Sequence, residues 1–574
     1  MSIATQAQDV SPLLPPKRLE VQPFGTAYVY PPDSKHGVSI SLPTWDSTIA
    51  YFEELEEWKN EHIEWCYPRF FINRPVRELA DAALKKLNIA TDGGTACLLF
   101  PTVTFARDCA KHIANEKPNV IVDIVQFKSP RNCDRSAAQV LSIASFAIAV
   151  FPKEVEFPAM MFWMNVGGGL TTRHAVFAKD YIDYLEAISS NKKTKIQPPQ
   201  AITTLPTPSW VHDIAPTAMH VKSTIASLST SENSSLPVIT ADHVTLYPTG
   251  MSAIYHASQA LQAVATTSTV VAFGWMYDET IHNLKHGPWE KFIGYKRGKE
   301  QDLEHLTDSL KAGERIGALF CELPSNIFLS SVPLQRLRAL SDEYGFILAC
   351  DDTVAGFINL DLVPYVDVML TSLTKMFSGA SDVTGGSVIV NPASRYYNTV
   401  QSALQARYQP AFVFPLDTKA LRHNSQHVRW RAQRCNENAL SVAQMLHGHP
   451  LIKRLNYPYF DESLPIYHSL MREGGGYGCV MGVIFHDEKV AHRFYDMLNV
   501  PKGSSFGTNF TIAVPFALLV HYYNRDRVAA HGLPEHIIRI SVGLENVEDI
   551  KAAIQTALAE CHGGTEGIQR ESKL

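Results

Sequence analysis

The segment VDVMLTSLTK places Lys375 just after an apolar run, with the hydroxyl groups of Ser372 and Thr374 close to it in the sequence. Lysine is strongly hydrated, but partial burial lowers its pKa, and the free amine is then a nucleophile for carbonyl groups. The two hydroxyl groups could bind a phosphate. Such a pattern more often marks a lysine on the protein surface. Whether Lys375 has a chemical role therefore depends on the residues that other segments provide.

Two further segments end in groups that complement an amine. Asp351 and Thr353 follow the apolar segment FILAC, and Gly250 and Met251 follow TLYP where a helical pattern begins. Taken alone, the carboxylate could cap a helix and the glycine could form a turn. Together with Lys375 they meet the needs of pyridoxal 5'-phosphate (PLP), which requires an amine for the Schiff base, a carboxylate for the ring nitrogen and N–H groups for the phosphate. The sequence therefore predicts a PLP site.

The segments that carry these residues alternate with helical patterns. From about Thr245 onward the apolar runs TLYP, TVVAF, IGALFCEL, FILACDD and VDVMLTS are separated by stretches such as MSAIYHASQALQAV and PLQRLRALSDEYG. Strands that are apolar throughout and alternate with helices predict a parallel sheet that is covered on both faces. Ligands of such sheets bind beyond the carboxyl ends of the strands, where Asp351 and Lys375 would meet.

The composition of the chain changes along its length and predicts four regions. Residues 1–90 form a Pro-rich arm followed by helices, and residues 91–235 form a small inserted α/β unit with a linker. Residues 236–408 form the large cofactor-binding domain, and residues 409–574 form a smaller α+β domain. The predicted fold class is α/β, with a mostly parallel sheet in the large domain. In the insertion, Gly167 to Gly169 are interpreted as a flexible turn, because no following lysine marks a phosphate loop.

Composition excludes several classes of function. With 574 residues, of which 45% are hydrophobic and 19% charged, the chain can bury several cores. A formal net charge of -6 provides no basic surface for nucleic acid. The longest apolar run, VLSIASFAIAVF, is too short to span a membrane. The nine cysteines are scattered without metal-ligand spacing, so neither a metal site nor a disulfide framework is predicted.

Several blocks of the sequence carry a family resemblance. YPTGMSAIYHA, CELPSN, ACDDT, TSLTKMFSGASDVTGG and RISVGLENVEDI resemble the blocks of the cystathionine γ-synthase family, a branch of the fold-type I PLP enzymes that act on Cys and Met metabolites. The long N-terminal part and KGSSFGTNFTIAVPFALLVHY are most similar to the fungal members. The resemblance is dense from about Thr245 to Leu558 and implies a PLP-dependent transferase of fold-type I.

The resemblance implies a role for each matching residue of the cofactor site. Lys375 would form the Schiff base, Asp351 would pair with the pyridinium nitrogen, and Asn326 would lie near the ring hydroxyl. An aromatic ring usually stacks on the cofactor, and Phe273 takes the place of the usual tyrosine, with Tyr277 as a substitute for its hydroxyl. The phosphate contacts implied are Gly250, Met251, Ser372 and Thr374.

The remaining implied residues concern the substrate and the assembly. Arg539 matches the arginine that binds the substrate α-carboxylate, and Ser505 lies in the loop beside it. Tyr67 and Arg69 match a Tyr-x-Arg pair that reaches the phosphate of a neighbouring subunit's cofactor. The resemblance therefore implies a homodimer or homotetramer with shared active sites.

The predicted reaction is γ-substitution on an O-acyl-L-homoserine, with cysteine as the nucleophile and cystathionine as the product. A carbon nucleophile such as a β-keto acid enolate, used to build an unusual amino acid, is a second possibility, because pocket shape decides the nucleophile. A γ- or β-lyase is a third, and a non-catalytic scaffold is a fourth. The presence of Lys375, Asp351 and Arg539 argues against a scaffold.

The terminal Ser572-Lys573-Leu574 predicts peroxisomal import, with a cytoplasmic location as the alternative.

Overall fold

The computed structural model describes residues 20–30, 36–90, 93–190, 195–196 and 205–562. Its strands form three sheets of five, seven and four strands, and the sheets follow one another along the chain. Within the described residues, no helix has both the length and the apolar character needed to cross a bilayer. The predicted import tripeptide at residues 572–574 lies outside the described residues.

The N-terminal region forms three helices: α1 (Trp45–Glu53), α2 (Glu56–His62) and α3 (Arg74–Lys86). The segment YFEELEEWKNEHIEW is divided between α1 and α2, because Glu54 and Leu55 take an extended conformation with ψ of 152° and 151°. The first helix begins with a capping box in which the Thr44 side chain accepts a hydrogen bond from the Ser47 N–H.

The inserted unit contains the five-stranded sheet. Its elements are β1 (Thr95–Phe100), α4 (Val103–Glu116), β2 (Asp123–Lys128), α5 (Arg135–Ala144), β3 (Phe146–Pro152), α6 (Glu156–Val166), α7 (Thr172–Tyr181), β4 (Glu186–Ser189) and β5 (Lys195–Ile196). The strand order is β1-β3-β2-β4-β5, and every pair is antiparallel. The unit thus has helices packed on an antiparallel sheet. The apolar runs in the sequence do not encode whether neighbouring strands are parallel or antiparallel.

The large domain contains the seven-stranded sheet. Its elements are α8 (Ile214–Ser229), β6 (Val244–Tyr247), α9 (Gly250–Val264), β7 (Thr269–Phe273), α10 (Asp278–His286), β8 (Lys291–Tyr295), α11 (Glu300–Lys311), β9 (Ala318–Glu322), α12 (Leu334–Tyr344), β10 (Ile347–Asp351), β11 (Val368–Ser372), β12 (Gly386–Val390), α13 (Tyr397–Arg407) and α14 (Pro415–Asn424). The order is β6-β12-β11-β10-β9-β7-β8, and only β12 runs antiparallel to its neighbours. The predicted mostly parallel sheet is confirmed.

The C-terminal part, predicted as a smaller α+β domain, contains a four-stranded antiparallel sheet. Its order is β13-β14-β16-β15. The elements are α15 (Val428–Leu446), β13 (Ile452–Asn456), α16 (Leu464–Leu470), β14 (Val480–Phe485), α17 (Glu488–Met497), β15 (Ile512–Pro515), α18 (Phe516–Val520), α19 (Arg525–Ala529), β16 (Ile538–Ser541) and α20 (Val547–His562).

The parallel strands of the large domain bring their carboxyl ends to one edge of the sheet. Strands β9 and β10 are buried along their whole length, which is why they read as unbroken apolar runs. At that edge β9 ends in Glu322, β10 in Asp351 and β11 in Ser372, and α9 begins at Gly250 directly after β6. The chemistry-bearing residues named from the sequence therefore converge because the strands are parallel.

Candidate active site

A cavity of about 370 Å³ lies at this edge of the seven-stranded sheet. Four parts of the chain contribute to its wall: the N-terminal region, the inserted unit, the large domain and the C-terminal domain. The polar side chains in the wall include two lysines, two arginines, four carboxyl groups and four phenols. The residues that line it include Phe52, Tyr67, Arg69, Phe70, Met164, Gly250, Met251, Tyr277, Glu279, Glu322, Asn326, Asp351, Thr353, Ser372, Lys375, Ser504, Phe506, Tyr523 and Arg539.

Lys375 follows β11 and lies in this cavity with only 9% of its surface exposed. Its Nζ donates a hydrogen bond to Ser505 Oγ at 3.3 Å and lies 4.6 Å from the centre of the Tyr67 ring. Burial lowers the pKa of Lys375, although the nearby Tyr67 phenol partly opposes this effect. A lowered pKa increases the fraction of free amine, which is the form that attacks a carbonyl.

Asp351 is held in a fixed orientation at the end of β10. The N–H and Oγ1 of Thr353 both donate to Asp351 Oδ1, at 2.9 and 2.6 Å, and Thr353 Oγ1 accepts a hydrogen bond from the Ser372 N–H at 2.8 Å. Thr353, named from the sequence as a cofactor contact, therefore also links the ends of β10 and β11. Burial raises the pKa of Asp351 because it disfavours the ionised form. A cation beside Asp351 would stabilise the carboxylate by pairing with it.

A second carboxyl group lies beside Asp351. Glu322 accepts hydrogen bonds from the Tyr277 and Asn326 N–H groups, at 2.9 and 2.7 Å. Burial and the neighbouring Asp351 raise the pKa of Glu322 to about 8. Asn326 lines the cavity, and its buried Oδ1 has no hydrogen-bonding partner within the described part of the chain. An unsatisfied buried acceptor in a cavity indicates a place where a ligand donates a hydrogen bond.

The start of α9 is packed tightly against the ends of the neighbouring strands. A Cβ atom added to Gly250 would lie 2.7 Å from the Cβ of Ser372, so no side chain larger than hydrogen fits there. Thr249 caps the helix by accepting a hydrogen bond from the Ser252 N–H at 3.0 Å. The N–H groups of Gly250 and Met251 belong to the first turn of α9, where an anion is favoured. The structure thus assembles the predicted phosphate-binding residues Gly250, Met251 and Ser372.

Thr374 takes a different position from the one implied. Its Oγ1 accepts a hydrogen bond from the Gly385 N–H at 3.2 Å and lies 3.5 Å from the Gly385 carbonyl oxygen. The hydroxyl group is therefore engaged with the backbone that precedes β12, and Thr374 is not one of the residues in the cavity wall. Ser372 is the hydroxyl residue of this segment that lines the cavity.

Tyr67 and Arg69 lie in the cavity of their own chain, which differs from the arrangement implied by the resemblance. Arg69 Nη2 donates to Tyr277 Oη at 2.6 Å, and Arg69 Nη1 donates to the Met164 carbonyl at 2.6 Å. Burial raises the pKa of Tyr67, but the cationic Lys375 and Arg69 outweigh it and lower the pKa overall. Tyr67 therefore contacts the lysine of the same chain, and the oligomeric state stays a prediction.

Phe273 does not occupy the stacking position predicted for it. It is fully buried at the end of β7, with its ring centre 5.8 Å from that of Tyr295, and it packs in the main core. The chain then turns at Gly274, which has a φ of +94°, and this turn carries Tyr277 into the cavity wall. Burial raises the pKa of Tyr277, so this phenol remains protonated. Tyr277 is the aromatic residue of this block that faces the cavity.

Arg539 lies on β16 and faces the same cavity. Its Nη2 donates to the Ser504 carbonyl at 2.9 Å and the Ser505 carbonyl at 3.2 Å, and its guanidinium lies 5.0 Å from the centre of the Phe506 ring. Burial lowers the pKa of Arg539 to about 10, and this effect is opposed by the phenols of Tyr277 and Tyr67 and the thiol of Cys479 rather than by a carboxylate. A buried guanidinium that lacks a carboxylate gains most from a ligand that supplies one.

Several residues of the site were not predicted from the sequence. The Phe506 ring lies 4.8 Å from Lys375 Nζ, and Glu279 places a buried Oε2 that has no hydrogen-bonding partner among the described residues. Gly167 was interpreted as part of a flexible turn, but it caps α6 in a left-handed conformation with a φ of +63°. A Cβ there would lie 2.3 Å from Thr249 Oγ1. Phe506 stands in the block already recognised, whereas Glu279 and Gly167 carry no local signal.

The residues in the cavity fit PLP on chemical grounds. The amine of Lys375, the carboxylate of Asp351, the free acceptor of Asn326 and the N–H groups at the start of α9 correspond to its aldehyde, ring nitrogen, ring hydroxyl and phosphate. The cationic Arg69 lies close to the start of α9. A Cβ added to Gly167 would lie 3.0 Å from Arg69 Cδ and 3.1 Å from the Cβ of Met251, in the first turn of α9.

Comparisons with known proteins point in the same direction. The family described as "Cys/Met metabolism PLP-dependent enzyme" matches residues 214–559, and "Fungal trans-sulfuration enzyme, N-terminal domain" matches residues 75–171. The chain is 36% identical over 541 residues to the cystathionine gamma-synthase-like protein ankD of Aspergillus thermomutatus, which covers 94% of both chains. It is 29% identical over 613 residues to the cystathionine gamma-synthase of Neurospora crassa, covering 93% of this chain and 98% of the relative.

A solved structure supports the fold. The crystal structure of cystathionine gamma synthase from Xanthomonas oryzae pv. oryzae in complex with cystathionine superimposes with a TM-score of 0.52 at 21% identity. The match covers 61% of this chain and 86% of that chain. The predicted fold-type I architecture is confirmed by this likeness.

Proposed function

The chain belongs to the Cys/Met metabolism PLP-dependent enzymes, and from this premise we propose that it catalyses γ-substitution on an O-acyl-L-homoserine. With cysteine as the nucleophile, the product is cystathionine. One observation carries the proposal: the Lys375 Nζ and the Arg539 guanidinium both lie against the Phe506 ring, at 4.8 and 5.0 Å from its centre. A substrate whose carboxylate pairs with Arg539 would hold its Cα close to the amine of Lys375.

The overall reaction breaks the Cγ–O bond of the ester and forms a Cγ–S bond. The acyl carboxylate leaves with the bonding electron pair, the cysteine sulfur supplies the new pair, and the thiol proton is released. When bound, PLP supplies an electron sink that stabilises negative charge at Cα. Lys375 would remove the Cα proton and move protons at Cβ, which suits an amine whose pKa burial has lowered. Arg539 would orient the amino acid, and the apolar walls would limit water.

A carbon nucleophile is favoured by one feature of the cavity mouth. Phe52, Phe70 and Tyr523 line the cavity, and Phe70 and Tyr523 are 36% and 84% exposed, so these aromatic rings lie where the cavity opens. The Phe52 ring packs edge-on to Tyr523 with centres 6.0 Å apart. An aromatic entrance suits a nucleophile with an apolar body, such as a β-keto acid that carries an alkyl chain, better than it suits the small and polar cysteine.

A competition experiment tests both candidates. Holo-protein would receive O-acetylhomoserine together with cysteine and a β-keto acid at equal concentration, and the products would be identified by mass spectrometry. Cystathionine is the expected product. A carbon-linked adduct would replace the first candidate with the second, and oxobutanoate alone would make the protein a lyase. No product from any of these mixtures would refute the proposed reaction.

The pH dependence of cofactor capture offers a separate prediction. The free amine of Lys375 is the form that would capture PLP, so capture by the apo-protein should accelerate as pH rises through the pKa of Lys375. The Tyr67 phenol raises the pKa of Lys375, and its removal in Tyr67→Phe should lower that pKa further. The midpoint of the rate-against-pH curve, followed by absorbance, should therefore move to lower pH. An unchanged midpoint would contradict the coupling, and Tyr457→Phe, a buried phenol in the C-terminal domain, serves as the control.

We also propose that the terminal Ser572-Lys573-Leu574 directs the enzyme to peroxisomes. A fluorescent protein fused upstream of the chain should give a punctate signal that coincides with a peroxisomal marker. Adding residues after Leu574 should disperse the signal, because the import receptor reads a free carboxyl terminus. A diffuse signal from the unmasked fusion would overturn the proposal.

A further inference from the structure

We propose that each chain completes its own cofactor site, with the inserted unit holding Arg69 in position. The inference rests on the proposed PLP site and goes beyond it by naming the origin of the phosphate-side arginine. Arg69 is 3% exposed and makes two hydrogen bonds of 2.6 Å within the chain, to the Met164 carbonyl and to Tyr277 Oη. These partners lie in two different units, α6 of the insertion and the loop before α10, so the side chain is fixed between them.

The segment that carries Arg69 is anchored in the same chain on both sides. Asn73 closes a turn around it, since its Oδ1 accepts from the Cys66 N–H at 3.0 Å and its Nδ2 donates to the Cys66 carbonyl at 3.1 Å. Tyr67 packs in a small apolar cluster together with Ile40 of the N-terminal arm and Val514 of β15. The segment is thus attached to the C-terminal domain before it reaches the cavity.

Helix α3 begins at Arg74, directly after this segment, and belongs to the core of the inserted unit. Leu79 and Ala83 of α3 are fully buried in one cluster with Phe127 and Leu141 of that unit. Exchange of the Tyr67–Arg69 segment between two chains would therefore require α3 and the inserted sheet to move with it. The segment cannot leave independently without exposing this apolar core.

The inserted unit is in turn fixed to the cofactor domain. The Phe105 ring of α4 lies 4.8 Å from Phe412 and 5.4 Å from His256, in the cluster that also contains the seven-stranded sheet. Arg173 of α7 forms ion pairs with Asp382 at 3.0 Å and Asp417 at 3.3 Å, all three largely buried. Breaking such a pair leaves an uncompensated buried charge, so these contacts hold the two units together.

The contact at Arg69 also has the right electrostatics. Met164 lies in the last turn of α6, where carbonyl groups point outward and the helix dipole favours a cation. Gly167 ends that helix, and its carbonyl accepts a hydrogen bond from Thr249 Oγ1 at 2.9 Å. The end of α6 therefore contacts both Arg69 and the residue that caps α9, and it sets the arginine beside the predicted phosphate site.

A co-purification experiment tests whether the arginine acts within one chain. Arg69→Ala and Lys375→Ala chains with different tags would be co-expressed and purified through both tags. The preparation is treated with PLP at a limiting concentration and then with borohydride, and peptide mass spectrometry measures labelling of Lys375 on the Arg69→Ala chain. Alone, this chain should bind PLP roughly 10- to 100-fold more weakly than wild type, because a hydrogen-bonded charge is lost. In the mixed assembly its labelling should be unchanged.

Each outcome decides the question. A rise toward wild-type labelling in the mixed assembly would show that a partner supplies Arg69 and would overturn the proposal. If no mixed assembly is recovered, light scattering gives the oligomeric state of the wild-type chain. Labelling of Lys375 in a wild-type chain that is monomeric supports the proposal. If that chain is instead oligomeric, refolding of the mixed denatured chains repeats the test. Wild-type affinity of Arg69→Ala alone would remove the role of Arg69. Since the readout is cofactor capture, an unexpected product in the competition experiment leaves the proposal intact.

A second pair of variants tests the inserted unit. In Gly167→Ala the new Cβ would meet Thr249 Oγ1 at 2.3 Å and Arg69 Cδ at 3.0 Å, so PLP affinity should fall. Gly93→Ala is the matched control, because Gly93 lies in the same unit with a φ of +92° and has nothing within 4 Å of a Cβ. Both glycines have a positive φ, so both variants carry backbone strain, and only Gly167→Ala adds the close contacts. An equal PLP affinity for the two would overturn the role given to the end of α6.

Discussion

Lys375→Met should abolish turnover and covalent cofactor capture while leaving the chain folded. The substitution keeps an unbranched side chain of similar length in a site where the lysine is 9% exposed, so packing is largely preserved. What is lost is the amine that would bind the aldehyde and transfer protons at Cα and Cβ. We expect kcat to fall by at least about 10⁴-fold, in line with the upper range for a positioned acid–base group. Circular dichroism and the thermal midpoint should stay close to those of wild type.

The chain contains an internal control for this assignment. Lys502 is also a buried lysine, and burial lowers its pKa to about 8, but its Nζ donates to the Pro43 and Asp496 carbonyls instead of facing the cavity. Borohydride treatment of the holo-protein should therefore label Lys375 and leave Lys502 unlabelled. Labelling of Lys502, or turnover that persists in Lys375→Met, would show that a low lysine pKa rather than the position of Lys375 determines capture.

Arg539→Ala should reduce kcat/KM for the amino-acid substrate by roughly 30-fold to several thousand-fold, which corresponds to about 2–5 kcal/mol for a buried charge pair. Among the described residues, no carboxylate forms an ion pair that would offset the burial of this guanidinium, and a substrate α-carboxylate would provide one. Arg539→Lys keeps the charge but loses the planar fork, so we expect it to recover only part of the loss. Steady-state kinetics over a range of substrate concentrations provide the measurement.

The specificity of that effect can be checked against another arginine of the same sheet. Arg454 on β13 is exposed and donates to the Gly532 carbonyl at 2.8 Å, outside the cavity. Arg454→Ala should leave kcat/KM within about twofold of wild type, as expected for a surface change. PLP affinity should be nearly unchanged in Arg539→Ala. A loss of cofactor equal to the loss of activity would instead mean that Arg539 supports the fold of the site.

The cofactor side of the site was predictable because its signals are local. Buried parallel strands appear as unbroken apolar runs, and the residue at each carboxyl end can be read directly, as for Asp351 and Lys375. The contact of Arg69 with Met164 joins residues 95 positions apart, and no spacing rule encodes it. Strand direction in the inserted unit was missed for a related reason, since antiparallel and parallel buried strands have similar composition.

The stacking residue shows how a single turn changes a prediction. Phe273 and Tyr277 both lie in the block AFGWMY, and the sequence favoured Phe273 because it occupies the family position. The left-handed Gly274 redirects the chain, so Phe273 stays with the core while Tyr277 reaches Arg69. The backbone conformation at one glycine therefore decides which aromatic ring faces the cavity.

The apolar core shared by the inserted unit and the cofactor domain has a thermodynamic consequence. Residues such as Phe100 and Phe105 of the insertion belong to the same cluster as Val270 and Leu348 of the seven-stranded sheet. Neither part can unfold without exposing apolar surface on the other, so the two should melt in one cooperative transition. A ligand that binds only the native state stabilises by roughly 2.7 kcal/mol at 100 times its Kd. Saturation with cofactor should thus slow amide hydrogen exchange in β1 and β3, strands that lie outside the cavity wall.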